Sequence, residues 1–198
     1  MTYFVTGATG FIGRYLVQSL LQRGKGTVYV LVRPKSVGKL DELREFWGKE
    51  SVKRVVPVKG DLAQPKLGVS KSDLAKLKGK VKHLFHLGAV YDLEASAEAM
   101  QKANIVGTQS ALAFAEAVNA GCFHLVSSIA AAGLYRGTFT EDMFEEAEEL
   151  DHPYHSTKHD SEGLVRANGR IPFRIYRPGV VVGHSKTGFI DKIDGPYY

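Results

Sequence analysis

Apolar and polar positions along the chain fall into two alternating periods. Short, nearly continuous apolar runs occupy residues 3–6, 27–32, 52–59, 83–87, 123–127 and 172–177. Their length is that of strands, and their apolar density is that of strands covered on both faces. Helical spacing fills the intervals. Ile12, Leu16, Val17, Leu20 and Leu21 form one stripe from Phe11 to Gly24, a C-cap position. A second helix is expected over residues 37–47. A short one opens at Ser70, with Asp73 completing a capping box, and runs through Leu77. A long one is expected over 95–119, with Thr108, Ala111, Leu112, Ala115 and Val118 on one face and Gly121 ending it, and another over 153–168.

Strands alternating with helices through short links predict an α/β fold. The expected form is a doubly wound, Rossmann-like parallel sheet with helices on both faces, in one domain over residues 1–198. In such sheets ligands bind at the carboxyl ends of the strands, near the point where strand order reverses. The residues that follow each apolar run are therefore the candidates for chemistry.

The first run leads into Thr6-Gly7-Ala8-Thr9-Gly10-Phe11-Ile12-Gly13. Gly7 permits a tight turn, Gly10 lets backbone N–H groups approach a pyrophosphate, and Gly13 lets a helix pack close to the sheet. Thr6, Thr9, Phe11 and Ile12 complete the expected dinucleotide contacts, with the helix N-terminus supplying positive potential. At the end of the second run an acid would hold a ribose 2′-hydroxyl. Here Arg33 and Lys35 stand instead, and cations there favour a 2′-phosphate, so NADP (as NADPH) is expected over NAD. The fourth run ends at Leu87-Gly88-Ala89, small enough for backbone to lie against a cofactor. His86 reads as a packed strand residue.

Ser127 and Ser128 close the fifth run, and Tyr154-His155-Ser156-Thr157-Lys158 is the chain's one Tyr-x-x-x-Lys. On a helix these two side chains share a face. A free phenol has a pKa of about 10, and a neighbouring ammonium favours its phenolate, bringing proton exchange toward neutrality. A serine hydroxyl across the site can hold a carbonyl oxygen as it gains negative charge.

Bulk composition excludes more than it selects. The net charge of +5 comes from 26 basic residues scattered among 21 acids, with no basic arm, so nucleic acid is not the expected partner. Cys122 is the single cysteine, which rules out an internal disulfide and suits a reducing compartment. No apolar run reaches membrane-spanning length, and a cytoplasmic location is expected. His152, His155 and His159 have helical spacing but no cysteine or ligand-spaced partner beside them, so no metal site is expected. The seven acids within 141–151 read as a solvated surface segment.

Over nearly its whole length the chain resembles the extended short-chain dehydrogenase/reductases. The resemblance rests on the glycine turn, Gly60-Asp61-Leu62, Asn104-x-x-Gly107-Thr108, Ser127-Ser128, Tyr154 with Lys158, and Arg177-Pro178-Gly179. It implies a catalytic role for Ser128, proton transfer by Tyr154, and nicotinamide-ribose binding by Lys158. It further implies adenine contact by Asp61 beside Leu62, a structural or proton-relay role for Asn104, and a turn at Pro178, Gly179 and Val180 near the nicotinamide. From local chemistry alone, Gly60-Asp61 is equally a plain turn. The segments 126–133, 140–151 and 175–198 resemble bacterial long-chain fatty acyl-CoA and fatty aldehyde reductases. That implies a small-molecule substrate, an acyl thioester or an aldehyde. A nucleotide-sugar epimerase or dehydratase and a non-catalytic NADP-sensing protein use the same scaffold. Relatives of this type continue well past the sixth strand, so the chain is expected to be part of a longer reductase. Tyr197 and Tyr198 would then lie on apolar surface that favours self-association into a homo-oligomer.

Overall fold

Alternation along the first strand divides the molecule into two cores. In the computed structural model, which describes residues 1–89 and 96–190, strand β1 (Thr2–Thr6) is buried from Tyr3 onward. Its Phe4 points to one face and Val5 to the other. Phe4 meets Leu84, Phe114, Phe123 and Leu125, and the rings of Phe4 and Phe114 lie 4.4 Å apart. Val5 meets Val17, Val28, Val30 and Leu20 on the opposite face. Two apolar layers around one sheet are what the doubly wound reading requires.

The sheet is parallel and six-stranded, in the order β3-β2-β1-β4-β5-β6. Its remaining strands are β2 (Thr27–Val32), β3 (Val55–Lys59), β4 (His83–His86), β5 (Phe123–Val126) and β6 (Phe173–Tyr176). Strand order reverses between β1 and β4, which places the ligand crevice beyond Thr6 and His86. Helix α1 (Phe11–Arg23) and α2 (Lys39–Trp47) belong to the Val5 side. The Trp47 indole N–H donates to the Arg14 carbonyl at 2.8 Å and locks the two helices together. On the Phe4 side lie α6 (Gly107–Ala117) and α7 (Pro153–Asn168).

The third strand and the second helix start later than the sequence reading has them. Residues 51–54 form a helical turn, α3 (Ser51–Arg54), so the third strand starts at Val55. The Ser51 hydroxyl, fully buried, donates back to Arg44 and Gly48 carbonyls, and Arg54 reaches the carbonyls of Leu21, Gly24 and Gly26 at the end of α1. Those contacts hold as helix a segment whose Val52 is exposed. Pro57 sits within β3, tolerated because β3 is an edge strand bonded on one side only. Helix α2 starts at Lys39 after a single turn at Pro34–Ser36. The short helix α4 (Lys71–Leu77) opens as expected, with the Asp73 N–H donating to Ser70 Oγ at 3.1 Å.

The long helix expected over 95–119 is three pieces. Ala95 lies outside the described residues, as do Tyr197 and Tyr198. The first piece is α5 (Ala97–Met100), followed by a π-helical turn over Gln101–Val106 and then α6. A π turn inserts one extra residue and commonly marks a functional site. In α1 the buried stripe is Gly13, Val17, Leu20 and Leu21, whereas Ile12 is exposed at the strand ends. Helical spacing alone could not separate a core residue from one facing the crevice.

Candidate active site

The glycine turn is defined by what a side chain would hit. Gly7 has φ +71°, and a Cβ there would lie 2.9 Å from the Gly88 nitrogen and the Leu87 carbonyl carbon. At Gly13 a Cβ would lie 2.0 Å from the Gly7 carbonyl oxygen. Helix α1 therefore rests on the turn with no room for a methyl group. Gly10 caps α1 without a side-chain hydrogen bond, and no acid occupies the first turn. The ladder begins with the Arg14 N–H on the Gly10 carbonyl, so the N–H groups of Phe11, Ile12 and Gly13 precede it. An exposed, uncapped helix N-terminus offers N–H donors and positive potential to an anion. Thr9 and Gly10 are exposed beside it.

Thr6 works from the inside. It is fully buried, and its hydroxyl accepts the Gly88 N–H at 3.2 Å while bonded to His86 Nδ1 at 2.8 Å. Its side chain fixes the two strand ends that flank the crevice and does not itself face it. Leu62 packs against Gly88 and Gly107, where a Cβ on Gly88 would meet Leu62 Cδ1 at 2.4 Å. Asp61 is half-buried, and its Oδ1 accepts the Ala63 N–H at 2.9 Å. That is the turn-forming reading of Gly-Asp, and it leaves the second carboxylate oxygen available. Arg33 and Lys35 are exposed at the end of β2 and form no salt bridge among the described residues.

A buried polar chain joins this turn to the Tyr-x-x-x-Lys helix. Thr6 accepts from Gly88, so its own proton goes to His86 Nδ1. The Thr108 hydroxyl donates to the Asn104 carbonyl at 2.6 Å and receives His86 Nε2–H at 3.2 Å. Asn104 Nδ2 donates to Thr157 Oγ1 at 3.1 Å, and Thr157 donates to the Pro153 carbonyl at 2.7 Å. Each hydroxyl has one proton to give, which fixes the direction of the whole chain. It requires a neutral His86, and burial, with the Lys158 charge added, pushes that imidazole down to about 3. His86, Thr108 and Thr157 thus form the scaffold of the site. Sequence reasoning placed Thr108 on a core stripe and did not single out Thr157, because their partners come from other elements.

Lys158 lies at the centre. Its side chain is 6% exposed, with Nζ 3.5 Å from the Val126 carbonyl and 6.0 Å from the Tyr154 ring centroid. Burial lowers its pKa to about 8, with Glu162 one turn further on pulling the other way. A cavity of about 10 Å³ is lined by Lys158, Asn104, His86, Gly88, Ala89 and Ser161 among others, room for roughly one water. Ser128 caps the turn Ile129–Ala132 by accepting the Ala130 N–H at 3.1 Å, which leaves its own proton free to donate. Ser127 is buried and its hydroxyl lacks a partner. His159 on α7 bonds the Ala131 carbonyl through Nδ1 at 3.1 Å, which ties the Ser128 turn to the helix that carries Tyr154. The Pro178 carbonyl accepts the Ile129 N–H at 3.1 Å, and Gly179 abuts Ile129; Val180 beside them is exposed.

His152 is a helix cap. Its Nδ1 accepts the Tyr154 N–H at 3.1 Å. His159 stacks on Phe144 with ring centroids 4.1 Å apart. The acidic segment exposes all seven carboxylates while its backbone is pinned to the body of the protein. Arg177 holds the Thr140 and Met143 carbonyls, and the Leu134 N–H donates to the Glu148 carbonyl.

Comparison with known proteins bears on the family and the fold. The family model described as Male sterility protein, an NAD-binding domain of the extended short-chain dehydrogenase/reductase type, matches residues 5–198, and the chain belongs to that family. It is 35% identical over 205 residues to a linear gramicidin synthase of Brevibacillus parabrevis, covering 96% of this chain and 4% of that protein. It is 30% identical to aldehyde reductase lnbA of Aspergillus flavus, over 96% of this chain and 21% of that protein. Among solved structures it resembles the terminal R domain of the myxalamid PKS-NRPS pathway, with TM-score 0.84, 32% identity, and coverage of 96% and 52% of the two chains. A UDP-glucuronic acid 4-epimerase from Bacillus cereus in complex with NAD shares the fold with TM-score 0.70 and 26% identity, over 92% and 57% of the two chains. The chain thus spans about half or less of the proteins it matches. No helix among the described residues is long and apolar enough to cross a membrane.

Proposed function

We propose that this chain carries the cofactor and proton-transfer half of an NADPH-dependent carbonyl reductase that acts on an acyl thioester or an aldehyde. The observation that carries the reading is Lys158. It is a buried cation with no carboxylate in salt-bridge contact among the described residues, set against the Tyr154 ring beside the turn that presents Ser128. A buried charge costs stability, and one kept without a paired carboxylate marks a candidate functional group. The glycine cradle, too tight for a Cβ at Gly7 and Gly13 and uncapped at Gly10, fits a pyrophosphate. Bound NADPH would supply the hydride.

Ser128 donates to the carbonyl oxygen and holds it while negative charge accumulates. Tyr154 gives that oxygen its proton. Lys158 in its ammonium form favours the phenolate left behind, and Asn104, lining the same cavity, would hold a water through which a proton returns from solvent. With a thioester, one hydride and one proton would yield an aldehyde and a free thiol, and a second hydride and proton would yield the alcohol. Arg33 and Lys35 would pair with the 2′-phosphate. Arg33→Ala is expected to weaken NADPH binding about tenfold or more and leave NADH binding within about twofold, measured by calorimetry. An equal loss for both would assign Arg33 to structure.

The NAD-complexed epimerase neighbour favours a second reading, sugar-nucleotide epimerisation on the same scaffold. Tighter binding of NAD than of NADP would move that reading ahead. The proposal also fixes a pH dependence. Lys158 binds fewer protons folded than unfolded between about pH 8 and its ordinary value of 10.5. Stability therefore rises through that window, by about 3 kcal/mol in full, as the cost of a buried charge disappears. In chemical unfolding at a series of pH values, Lys158→Met is expected to remove that rise and be the more stable chain at pH 7. A rise that survives the substitution would assign it to another group.

A further inference from the structure

Three chemistry-bearing residues meet at the opposite end of the sheet from the active site. Cys122-Phe123-His124 has a period of two, so Cys122 and His124 share one face at the start of β5. The register pairs Leu84 with Phe123, which sets His83 opposite Cys122. Ligand atoms of His83, Cys122 and His124 all lie within 4.8 Å of one another, and His83 Nδ1 is 2.9 Å from His124 Nε2. Two nitrogens bound at about 2.05 Å to one tetrahedral ion stand about 3.3 Å apart. The imidazole pair needs only a few tenths of an ångström to reach that spacing.

The surroundings hold these groups in place. His124 is buried, stacked on Phe85 at 4.2 Å and on Tyr176 at 5.9 Å. Its Nδ1 bonds the Tyr176 hydroxyl at 2.9 Å. With Nδ1–H given to that oxygen, the Nε2 lone pair faces His83 and Cys122. That is how a second-shell partner orients a ligating imidazole. His83 stacks on Tyr3 at 5.9 Å. The thiol has one hydrogen-bond contact, long at 3.9 Å, to its neighbour's carbonyl.

We infer that His83, Cys122 and His124 form a binding site for a borderline-soft divalent transition cation, with Zn²⁺ the best fit. One thiolate and two imidazoles suit that ion. Carboxylates are absent from the trio, which disfavours Mg²⁺ and Ca²⁺. Binding costs the His83–His124 hydrogen bond and releases the Cys122 proton, one H⁺ per ion. The Arg174 charge on β6 acts on all three groups, joined at His83 by Arg23. Burial raises the Cys122 thiol despite Arg174, so the ion itself must displace the thiol proton. His124 on β5 and Ser128 beyond its end stand four residues apart in extended backbone, about 13 Å, so the ion takes no part in carbonyl reduction. Its role is to clamp β4 to β5.

Reduced, chelator-treated protein titrated with Zn²⁺ is expected to bind one ion per chain, and Co²⁺ is expected to give a tetrahedral spectrum with a thiolate-to-cobalt charge-transfer band. Cys122→Ser changes one atom and is expected to abolish that band. His83→Gln, at a half-buried position, is expected to weaken Zn²⁺ binding at least about tenfold. His155→Gln, which removes a histidine of the 152–159 group, is expected to leave binding unchanged. Circular dichroism of each variant separates lost ligation from lost folding, and a misfolded His83→Gln is replaced by His83→Asn. Wild-type affinity in Cys122→Ser, binding lost only in His155→Gln, a six-coordinate cobalt spectrum, or no ion bound would each overturn the assignment.

Discussion

Tyr154→Phe is expected to lower carbonyl-reduction turnover by a factor of about 10²–10⁴ and to leave NADPH affinity within about twofold. The substitution removes one hydroxyl from a ring that is 6% exposed and packed on α7, so the fold keeps its packing. The main-chain bond from Tyr154 N–H to His152 is untouched. On the proposed reading, what is lost is the proton that the carbonyl oxygen receives as its carbon accepts a hydride. Lys158→Met is expected to act differently. It removes the charge that favours the phenolate and the group that would contact the nicotinamide ribose, so KM for NADPH rises as kcat falls. Steady-state kinetics with an aldehyde on the full protein separate the two. Unchanged turnover in Tyr154→Phe would remove Tyr154 from the chemistry and leave the reductase reading without its proton donor.

The periodicities carried most of the fold. Six apolar runs became six strands in the expected parallel arrangement, because a two-sided parallel strand must be apolar throughout. Local pattern misled where long-range contacts decide. Val52 belongs to an apolar run, yet Ser51 and Arg54 spend their side chains on distant carbonyls and hold the segment as helix. Helical spacing continued through 101–106, but the π turn there changes which residues face the crevice, and it buries Asn104 between His86 and Thr157. The glycine positions were legible because each answers a steric demand that one residue can meet. The hydrogen-bonded scaffold was not. Thr6, His86, Thr108 and Thr157 come from four elements, and no spacing rule links residues so far apart. The same holds for His83 with Cys122 and His124, where only the Cys-x-His step along one strand is visible in the chain. The sequence reading raised a metal only to set it aside at His152, His155 and His159; of these, His152 caps α7 and His159 stacks on Phe144.

Arg177 is a motif residue whose side chain holds the protein's own frame. In the Arg177-Pro178-Gly179 turn the guanidinium turns away from the crevice and forks onto Glu162, with Nε on Oε1 at 3.0 Å and Nη2 on Oε2 at 2.8 Å. Its other protons hold the carbonyls of Thr140 and Met143, and its plane lies 5.1 Å from the Phe139 ring centroid. Glu162 is fully buried, and Arg177 is 14% exposed. Arg166 stands 3.9 Å from the same carboxylate, too far to replace the fork. Arg177→Ala would strand a buried carboxylate, and the expected loss is about 3–5 kcal/mol of unfolding free energy. Arg170→Ala, which breaks the exposed pair with Glu116, is expected to cost under about 1 kcal/mol. The same loss of Arg177 would release the acidic segment from α7, and limited proteolysis should then cut within 139–146. Combining Arg177→Met with Glu162→Met removes both charges and should recover most of the stability without restoring the segment's anchorage. Denaturant unfolding of the single and double variants tests the account. If Arg177→Ala unfolds at the same denaturant concentration as Arg170→Ala, the fork is not what holds the acidic segment and α7 together.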